Sequence, residues 1–355
     1  FYVPGKQCLF YVSTVMRPPS SWHITGYQAR GKPGKIMINT QEKTYFIIVN
    51  PASHSGQTRR TWRTLKAALT ERGLSYRAYL SAGPGDVTLL TQKIISRFGK
   101  SREDPAHIIL LGGDGTLNEL INGISDFSKV ILSYIPTGSG NDFARAWKFS
   151  HDPVKELDRI LTSQPVALDV GETTFTDTDG NTHSRRFLIS SGIGFDAMVC
   201  DHVNHSRIKT YLNKIGLGQA VYLIIALKCL FFGKYPDCTL TCADGETLFL
   251  KNMMFSAAML EPYEGGGFEF APKASPSDGL LDVCTVNGLP RLFVLCALPT
   301  ALFGWHLIFP GIHLYRTESV HVETAVSQYI HTDGETRYFS TNVTIRCLKG
   351  LLQFQ

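Results

Sequence analysis

The chain carries no C-x-x-C pair: its eight cysteines stand singly, mostly in apolar runs. That spacing excludes a zinc ribbon or a small disulfide framework and reads as free, buried thiols in a reducing compartment. An excess of one charge is also missing. With 35 Lys and Arg against 30 Asp and Glu, interspersed along the chain, the net charge is only +5. This is too weak a field for a nucleic-acid protein, though it suits an anionic membrane surface or a phosphate ligand. Internal repeats and low-complexity tracts are absent, and the histidines form no metal set, since His202 and His205 at i, i+3 lack a third ligand.

A membrane-spanning run is missing as well. Residues 220–232 are too short and are interrupted by Lys228. Residues 292–315 are long enough and free of Asp, Glu, Lys and Arg, but Pro299, Gly304, His306 and Pro310 would break a helix where lipid offers no hydrogen-bond partner. They are expected to form core elements with an apolar exposed face. With 355 residues and 43% hydrophobic composition, the chain is expected to form two domains. Residues 1–43 stand apart: an apolar stretch at 8–16 runs into Arg17-Pro18-Pro19 without a small-residue cleavage site, and a Gly-, Lys- and Arg-rich stretch follows. They read as a leader or extension outside the catalytic fold, with the functional protein starting near Met37.

From residue 44 the pattern alternates. Apolar β-rich runs at 45–50, 75–80, 106–111 and 130–135 are separated by helical periodicity at 61–72, 86–97 and 117–124. Repeated βα units imply a parallel sheet covered on both faces, with the ligand beyond the carboxyl ends of the strands. After about residue 166 the texture becomes short strands and turns, at 167–170, 184–191, 237–242, 247–260, 280–286, 319–323 and 343–348, with one helical excursion over 209–232. The pattern therefore reads as an α/β domain at 44–166 followed by a mainly antiparallel β domain at 167–344.

Glycine-rich turns fall at three of the expected strand ends. Gly112-Gly113-Asp114-Gly115-Thr116 follows one buried strand, and Pro136-Thr137-Gly138-Ser139-Gly140-Asn141-Asp142-Phe143 follows the next. Asn50-Pro51-Ala52-Ser53-His54-Ser55-Gly56 follows the first. Glycines let backbone amides approach a phosphate that a Cβ would exclude, and a helix N-terminus favours the anion. Asp114 would repel a phosphate, so it makes sense beside Mg²⁺ or a substrate hydroxyl. Neither G-x-G-x-x-G nor G-x-x-x-x-G-K-S/T occurs at these positions.

Gly112-Gly113-Asp114-Gly115-Thr116-Leu117-Asn118-Glu119 together with the Pro136–Phe143 turn resembles the catalytic domain of diacylglycerol kinases and sphingosine kinases, most closely the soluble bacterial lipid kinases of that family. The resemblance implies that the α/β domain binds the nucleotide and is joined by roughly 345–355, that the second domain is a β-sandwich for the lipid substrate, and that the active site lies in the cleft between them. The resemblance runs from about Thr44 to Gln355. It implies ATP bound by Asn50, Pro51, Ser53, Ser55, Gly56, Ser81, Gly112, Gly113, Asp114, Gly115, Thr116, Leu117, Asn118 and Ser139. It makes Asp114 the acid tied to the catalytic Mg²⁺ and phosphates. The first loop is two residues longer than the family's commoner form. In Thr332-Asp333-Gly334-Glu335, which alone would pass as a surface turn, the resemblance makes Glu335 the general base for the lipid hydroxyl. It also implies a structural Mg²⁺ at Ser275, Asp278 and Leu280, where Asp278-Gly279 could otherwise be a hairpin turn. Gly192-Ile193-Gly194-Phe195-Asp196 is family-like and expected to be structural.

The expected activity is ATP- and Mg²⁺-dependent phosphorylation of a lipid hydroxyl, with diacylglycerol to phosphatidic acid as the leading reaction. A kinase acting on NAD and a non-catalytic lipid- or nucleotide-binding protein on the same scaffold are the alternatives. The expected setting is the cytoplasm, peripherally on the inner face of the membrane, with lipid as partner, no nucleic acid and a homodimer left open.

Overall fold

The computed structural model describes residues 43–53, 58–206 and 218–355, so the expectations for 1–42 and for Ser55 and Gly56 lie outside the described residues. The first part alternates β1 (Thr44–Val49), α1 (Thr58–Glu71), β2 (Ser75–Leu80), α2 (Asp86–Phe98), β3 (Ala106–Gly112), α3 (Asp114–Gly123), β4 (Val130–Pro136), α4 (Asp142–Ala146) and α5 (Pro153–Thr162). The strands are parallel in the order β4-β3-β1-β2. Period-two alternation sorts their side chains onto two faces. Ile47, Val49, Ile109, Leu111 and Ile135 meet Leu65 and Leu69 of α1 and Leu157 and Ile160 of α5. Phe46, Ile48, Ile108, Leu110, Leu132 and Tyr134 meet α2 and α3 through Ile94, Ile95, Leu117, Leu120 and Ile121.

The second part follows as β5 (Val166–Thr176), β6 (Thr182–Phe187), β7 (Ser190–Gly194), α6 (Phe195–Asn204), α7 (Gly218–Phe232), β8 (Cys238–Cys242), β9 (Thr247–Leu250), β10 (Met253–Met259), β11 (Leu281–Asn287), α8 (Arg291–Thr300), β12 (Ile312–Thr317), β13 (Ser319–Thr332) and β14 (Glu335–Phe354). Its pairings are antiparallel. Ile193, Leu240, Leu281, Val283, Val322, Ile330 and Val343 pack together between its layers. The opposite faces of β10 and β11 present Ala257, Met259, Cys284 and Val286 to Val294 and Ala297 of α8. The expected architecture, an α/β domain followed by a β-rich one, is the one observed.

Three departures from the expected strands have local causes. The single strand expected at 184–191 is two, because the amides of Leu188, Ile189 and Ser190 donate to Asp333 instead of to a neighbouring strand. The strand expected at 247–260 turns at Asn252, which adopts a left-handed φ of 47°. The hairpin strands β13 and β14 run far beyond the short apolar stretches expected at 319–323 and 343–348, because Thr, Ser and Gln continue the ladder where hydrophobicity falls.

β14 joins the two parts. It pairs with β13 and β5 along its length, and Gln353 and Phe354 then lie parallel on Ile131 and Leu132 of β4. Phe354 packs among Phe143, Trp147 and Phe149. Among the described residues no helix is long and apolar enough to cross a membrane.

Candidate active site

The turns beyond β1, β3 and β4 meet at one edge of the parallel sheet. Asn50 donates from Nδ2 to Thr116 Oγ1 at 3.0 Å, and Thr137 N donates to Gly112 O at 2.7 Å. Thr58 Oγ1 donates to Ser53 O at 3.2 Å and to Thr137 Oγ1 at 2.9 Å, fastening the first turn to the third. Ser81 is buried beside them, its amide on Val49 O at 2.9 Å. The glycines are needed for close approach. A Cβ on Gly138 would lie 2.6 Å from the Gly113 Cα, and one on Gly112 would lie 2.6 Å from the Thr116 Cβ. Ser139 is exposed at the rim.

Asp114 is the first residue of α3, and its Oδ2 accepts the amide of Asp142, the first residue of α4, at 3.0 Å. Asp142 Oδ2 accepts the amide of Gly266 at 2.7 Å, while Arg145 lies 3.7 Å from its Oδ1. Burial, with Asp142 nearby, pushes the Asp114 carboxyl up to about 7. Burial also raises Asp142. Among the described residues, Asp114 Oδ1 and Asp142 Oδ1 are buried without a hydrogen-bond partner. Two adjacent carboxylates with orphaned oxygens are costly unless protonated or joined by a cation, so this pair fits a divalent metal.

The turn at residues 332–335 arrives from the second domain. Asp333 adopts a left-handed φ of 50° and its carboxylate accepts four bonds. These come from Asn118 Nδ2 at 2.9 Å and the amides of Leu188, Ile189 and Ser190 at 3.1, 2.9 and 3.1 Å. Burial raises its pKa despite these donors. Asp333 therefore clamps α3 to β7 and fixes the residue two places on. That residue is Glu335, whose Oε1 would lie 2.7 Å from a Cβ on Gly115. Asp333→Ala would orphan several buried amides, each costing about 1–3 kcal/mol. The expected loss is about 3 kcal/mol or more, read as a lower urea midpoint at unchanged slope; an unchanged midpoint would refute the clamp.

Behind the turn lies a buried trio. His331 Nε2 sits 3.0 Å from Asp196 Oδ2 and 3.1 Å from Glu264 Oε1, and all three donor atoms fall within 4.8 Å of one another. Burial disfavours a charged ring, the two acids favour it, and on charge alone the acids prevail. The Gly334 amide, however, points at Nδ1 at 3.2 Å and opposes a second ring proton. The hydrogen-bond geometry decides: the proton sits on Nε2 and is offered to the acids. A cation there would need the Nε2 lone pair, so the trio is a brace for the Asp-Gly-Glu turn.

The expected residues thus divide. Asn50, Ser53, Ser81, Gly112, Gly113, Asp114, Gly115, Thr116 and Glu335 converge on one cleft, and Pro51 shapes its first turn. Leu117 points into the core and Asn118 is spent on Asp333 and the carbonyl of Arg186. Asp278 accepts from Arg316 Nη2 and from its own turn at Leu280 N, 3.0 Å away. Ser275 lies 3.5 Å from Ser277 Oγ. Arg316 also reaches Asp282, buried at the start of β11, at 3.4 Å. A metal at Asp278 would have to displace that guanidinium. Sequence reading missed Asp142, Arg145, Asp196, Glu264 and His331 as members of the site. For Asp142 a signal existed, an Asn-Asp pair opening a helix after a glycine turn, and Arg145 follows it at i+3 on the same helix; Asp196, Glu264 and His331 are brought together only by the antiparallel pairing of β7, β10 and β13.

Residues 44–173 match the Diacylglycerol kinase catalytic domain, and residues 189–354 match the YegS C-terminal NAD kinase beta sandwich-like domain. YtlR of Bacillus subtilis, named for an inferred lipid kinase activity, is 27% identical over 297 residues, covering 82% of this chain and 93% of its own. A diacylglycerol kinase of Staphylococcus carnosus is 25% identical over 291 residues, covering 81% and 87%. The crystal structure of an inferred diacylglycerol kinase from Bacillus anthracis superposes with a TM-score of 0.68 at 21% identity, covering 88% of this chain and 94% of that one, a likeness of fold.

Proposed function

The chain belongs to the diacylglycerol kinase catalytic-domain family, and on that premise we propose that it transfers the γ-phosphate of ATP to a lipid hydroxyl, with diacylglycerol as the acceptor. The observation that carries this reading is the meeting of Glu335, from the second domain, with the helix start that holds Asp114. A base facing an anion-binding helix N-terminus is the pairing that phosphorylation of an alcohol needs.

In this reading the turns after β1, β3 and β4 hold the phosphates, and Asp114 and Asp142 would hold the Mg²⁺. A bound Mg²⁺ neutralises charge on the transferring phosphoryl group. Glu335 takes the proton from the lipid hydroxyl as its oxygen bonds to the γ-phosphorus, and the bond from that phosphorus to the departing ADP oxygen breaks. Asp333 and the His331 brace hold Glu335 in place. Arg145, already paired with Asp142, keeps a positive charge beside the phosphates.

The test is transfer of labelled γ-phosphate to a panel of lipids in mixed micelles, with Mg²⁺ and then with EDTA. Metal-dependent label in diacylglycerol is expected. Label in another lipid class would reassign the acceptor; label in NAD, or none anywhere, would overturn the reading. Gly115→Ala should also act on the chemistry. Its methyl would stand 2.7 Å from Glu335 Oε1, so the carboxylate must move, and a displacement on the order of 1 Å costs roughly a hundredfold in rate. Kinetics should show kcat down at least tenfold with the KM for ATP within about threefold; an unchanged kcat would separate Glu335 from the reaction.

A further inference from the structure

α8 and the two short turns after it (Ala301–Phe303 and Trp305–Ile308) form an outer layer on β10 and β11. Val294, Ala297 and Ala301 point inward and are buried. Leu292, Cys296, Pro299 and Phe303, at helical spacing i, i+4, i+7 and i+11, face out, together with Phe293, Leu302 and Ile308. Trp305 is 65% exposed and lies against Phe303 with ring centroids 5.5 Å apart. Water gains nothing from such a surface, and large side chains of this kind are seldom left bare together.

A second apolar face adjoins it. On α7, Ile224, Lys228, Phe231 and Phe232 share one side at i, i+4, i+7 and i+8, and Phe232 is 82% exposed. Arg291, at the start of α8, donates to Phe231 O and, at 3.0 Å, to Gly233 O, which brings the two helices together.

We infer that these two faces form one surface that seats the protein on an anionic lipid bilayer, next to the cleft. The inference rests on the lipid-kinase reading for its purpose, and on charge and continuity for its occupant. Residues 202–236 and 283–317 contain no Asp or Glu, whereas Lys228 and Lys234 stand exposed beside the apolar side chains. Apolar side chains rimmed by cations complement an anionic headgroup layer, and an indole prefers the depth of the interface. Continuity comes from residues 264–272. The Gly266 amide of this loop donates to Asp142 Oδ2 at 2.7 Å and its carbonyl accepts from Arg145 Nη2 at 3.5 Å, while the Glu269 amide donates to Ala301 O at 2.7 Å and the Phe270 carbonyl lies 3.1 Å from His306 Nε2. A bilayer on the α7–α8 surface therefore lies one loop away from the phosphates.

The test is co-sedimentation of the full chain with phosphatidylcholine vesicles and with vesicles containing phosphatidylglycerol, beside the variant Leu292→Ser/Phe303→Ser/Trp305→Ser. The parent should bind the anionic vesicles, and each serine should weaken partitioning by about tenfold or more. Lys228→Glu should weaken it by about fivefold at low salt. Equal sedimentation of parent and triple variant would overturn the inference, as would no sedimentation of the parent with either vesicle. A parent that is dimeric by sedimentation velocity, with a monomeric triple variant, would overturn it and give the surface to a second copy. Phosphorylation of a dispersed short-chain diacylglycerol separates this from the kinase reading. Docking fails alone if that activity persists in both proteins without vesicle binding, and the kinase reading fails alone if vesicles are bound and no lipid is labelled.

Discussion

Glu335→Gln lowers the rate of phosphate transfer by about 10²–10⁴, the usual contribution of a positioned base, while the KM for ATP stays within about threefold. The amide keeps the shape of the side chain beside Gly115 but cannot accept the hydroxyl proton, and an un-ionised alcohol is a poor nucleophile. The parallel substitution Asp114→Asn acts differently. It removes charge from a carboxylate whose Oδ1 is buried and has no hydrogen-bond partner among the described residues, so the loss falls on metal-dependent steps and shows as a raised Mg²⁺ requirement. A reduction of roughly 10²–10³ is expected at limiting Mg²⁺. The two act on one event, so the double variant should be little worse than Glu335→Gln alone. Steady-state rates at varied ATP and Mg²⁺ check this. Glu335→Gln within tenfold of the parent would remove Glu335 from the proton transfer.

The second large effect concerns pH. Burial, first of all, pushes Asp114 up to about 7, Glu261 to about 8 and Asp282 to about 6. Unfolded carboxyls release their protons near pH 4. Between about pH 4 and 8 these three carboxyls thus hold more protons folded than unfolded, and their contribution to stability falls as pH rises; His107 and His306, which burial lowers to about 4, act the other way below about pH 6.5, so the net fall is expected above that pH. Each such carboxyl costs roughly 1–2 kcal/mol per pH unit while it lags behind its unfolded value. Without divalent metal, the melting temperature should drop by roughly 5–10 °C from pH 6 to pH 8. Mg²⁺ should restore more of it at pH 8, because a cation binds the ionised acids. A melting temperature that is flat or rising across this range would contradict the buried acid cluster.

The parallel sheet was legible because its residues are apolar on both faces and bounded by glycine turns, as at 106–112. The second domain was legible as strands but not as a topology. β14 alternates Thr, Asn, Arg and Lys with apolar residues over 20 positions, and nothing in such a stretch says which of three partners it takes. In the site, the glycine turns stood out because they carry backbone information in the sequence itself. Asp333 could be read only as a turn residue, since its four donors come from positions 118 and 188–190. The brace of His331 with Asp196 and Glu264 was likewise invisible, because those three residues sit on separate elements with ordinary neighbours. The structural Mg²⁺ that the resemblance implies at Ser275, Asp278 and Leu280 falls where Asp278 and Asp282 already share the guanidinium of Arg316 from β12, a neighbour that the sequence around 278 does not announce.

The path of β14 has a consequence for synthesis. While the chain emerges from the ribosome, α4 and the segment after it are made early, but the ring that completes their aromatic cluster, Phe354, and the backbone that pairs with Ile131 and Leu132 come only after the whole β-rich half. The nascent first domain therefore waits with β4 as an open edge, a surface prone to pairing with other chains. Its folding is completed by a strand made only after the whole β-rich half.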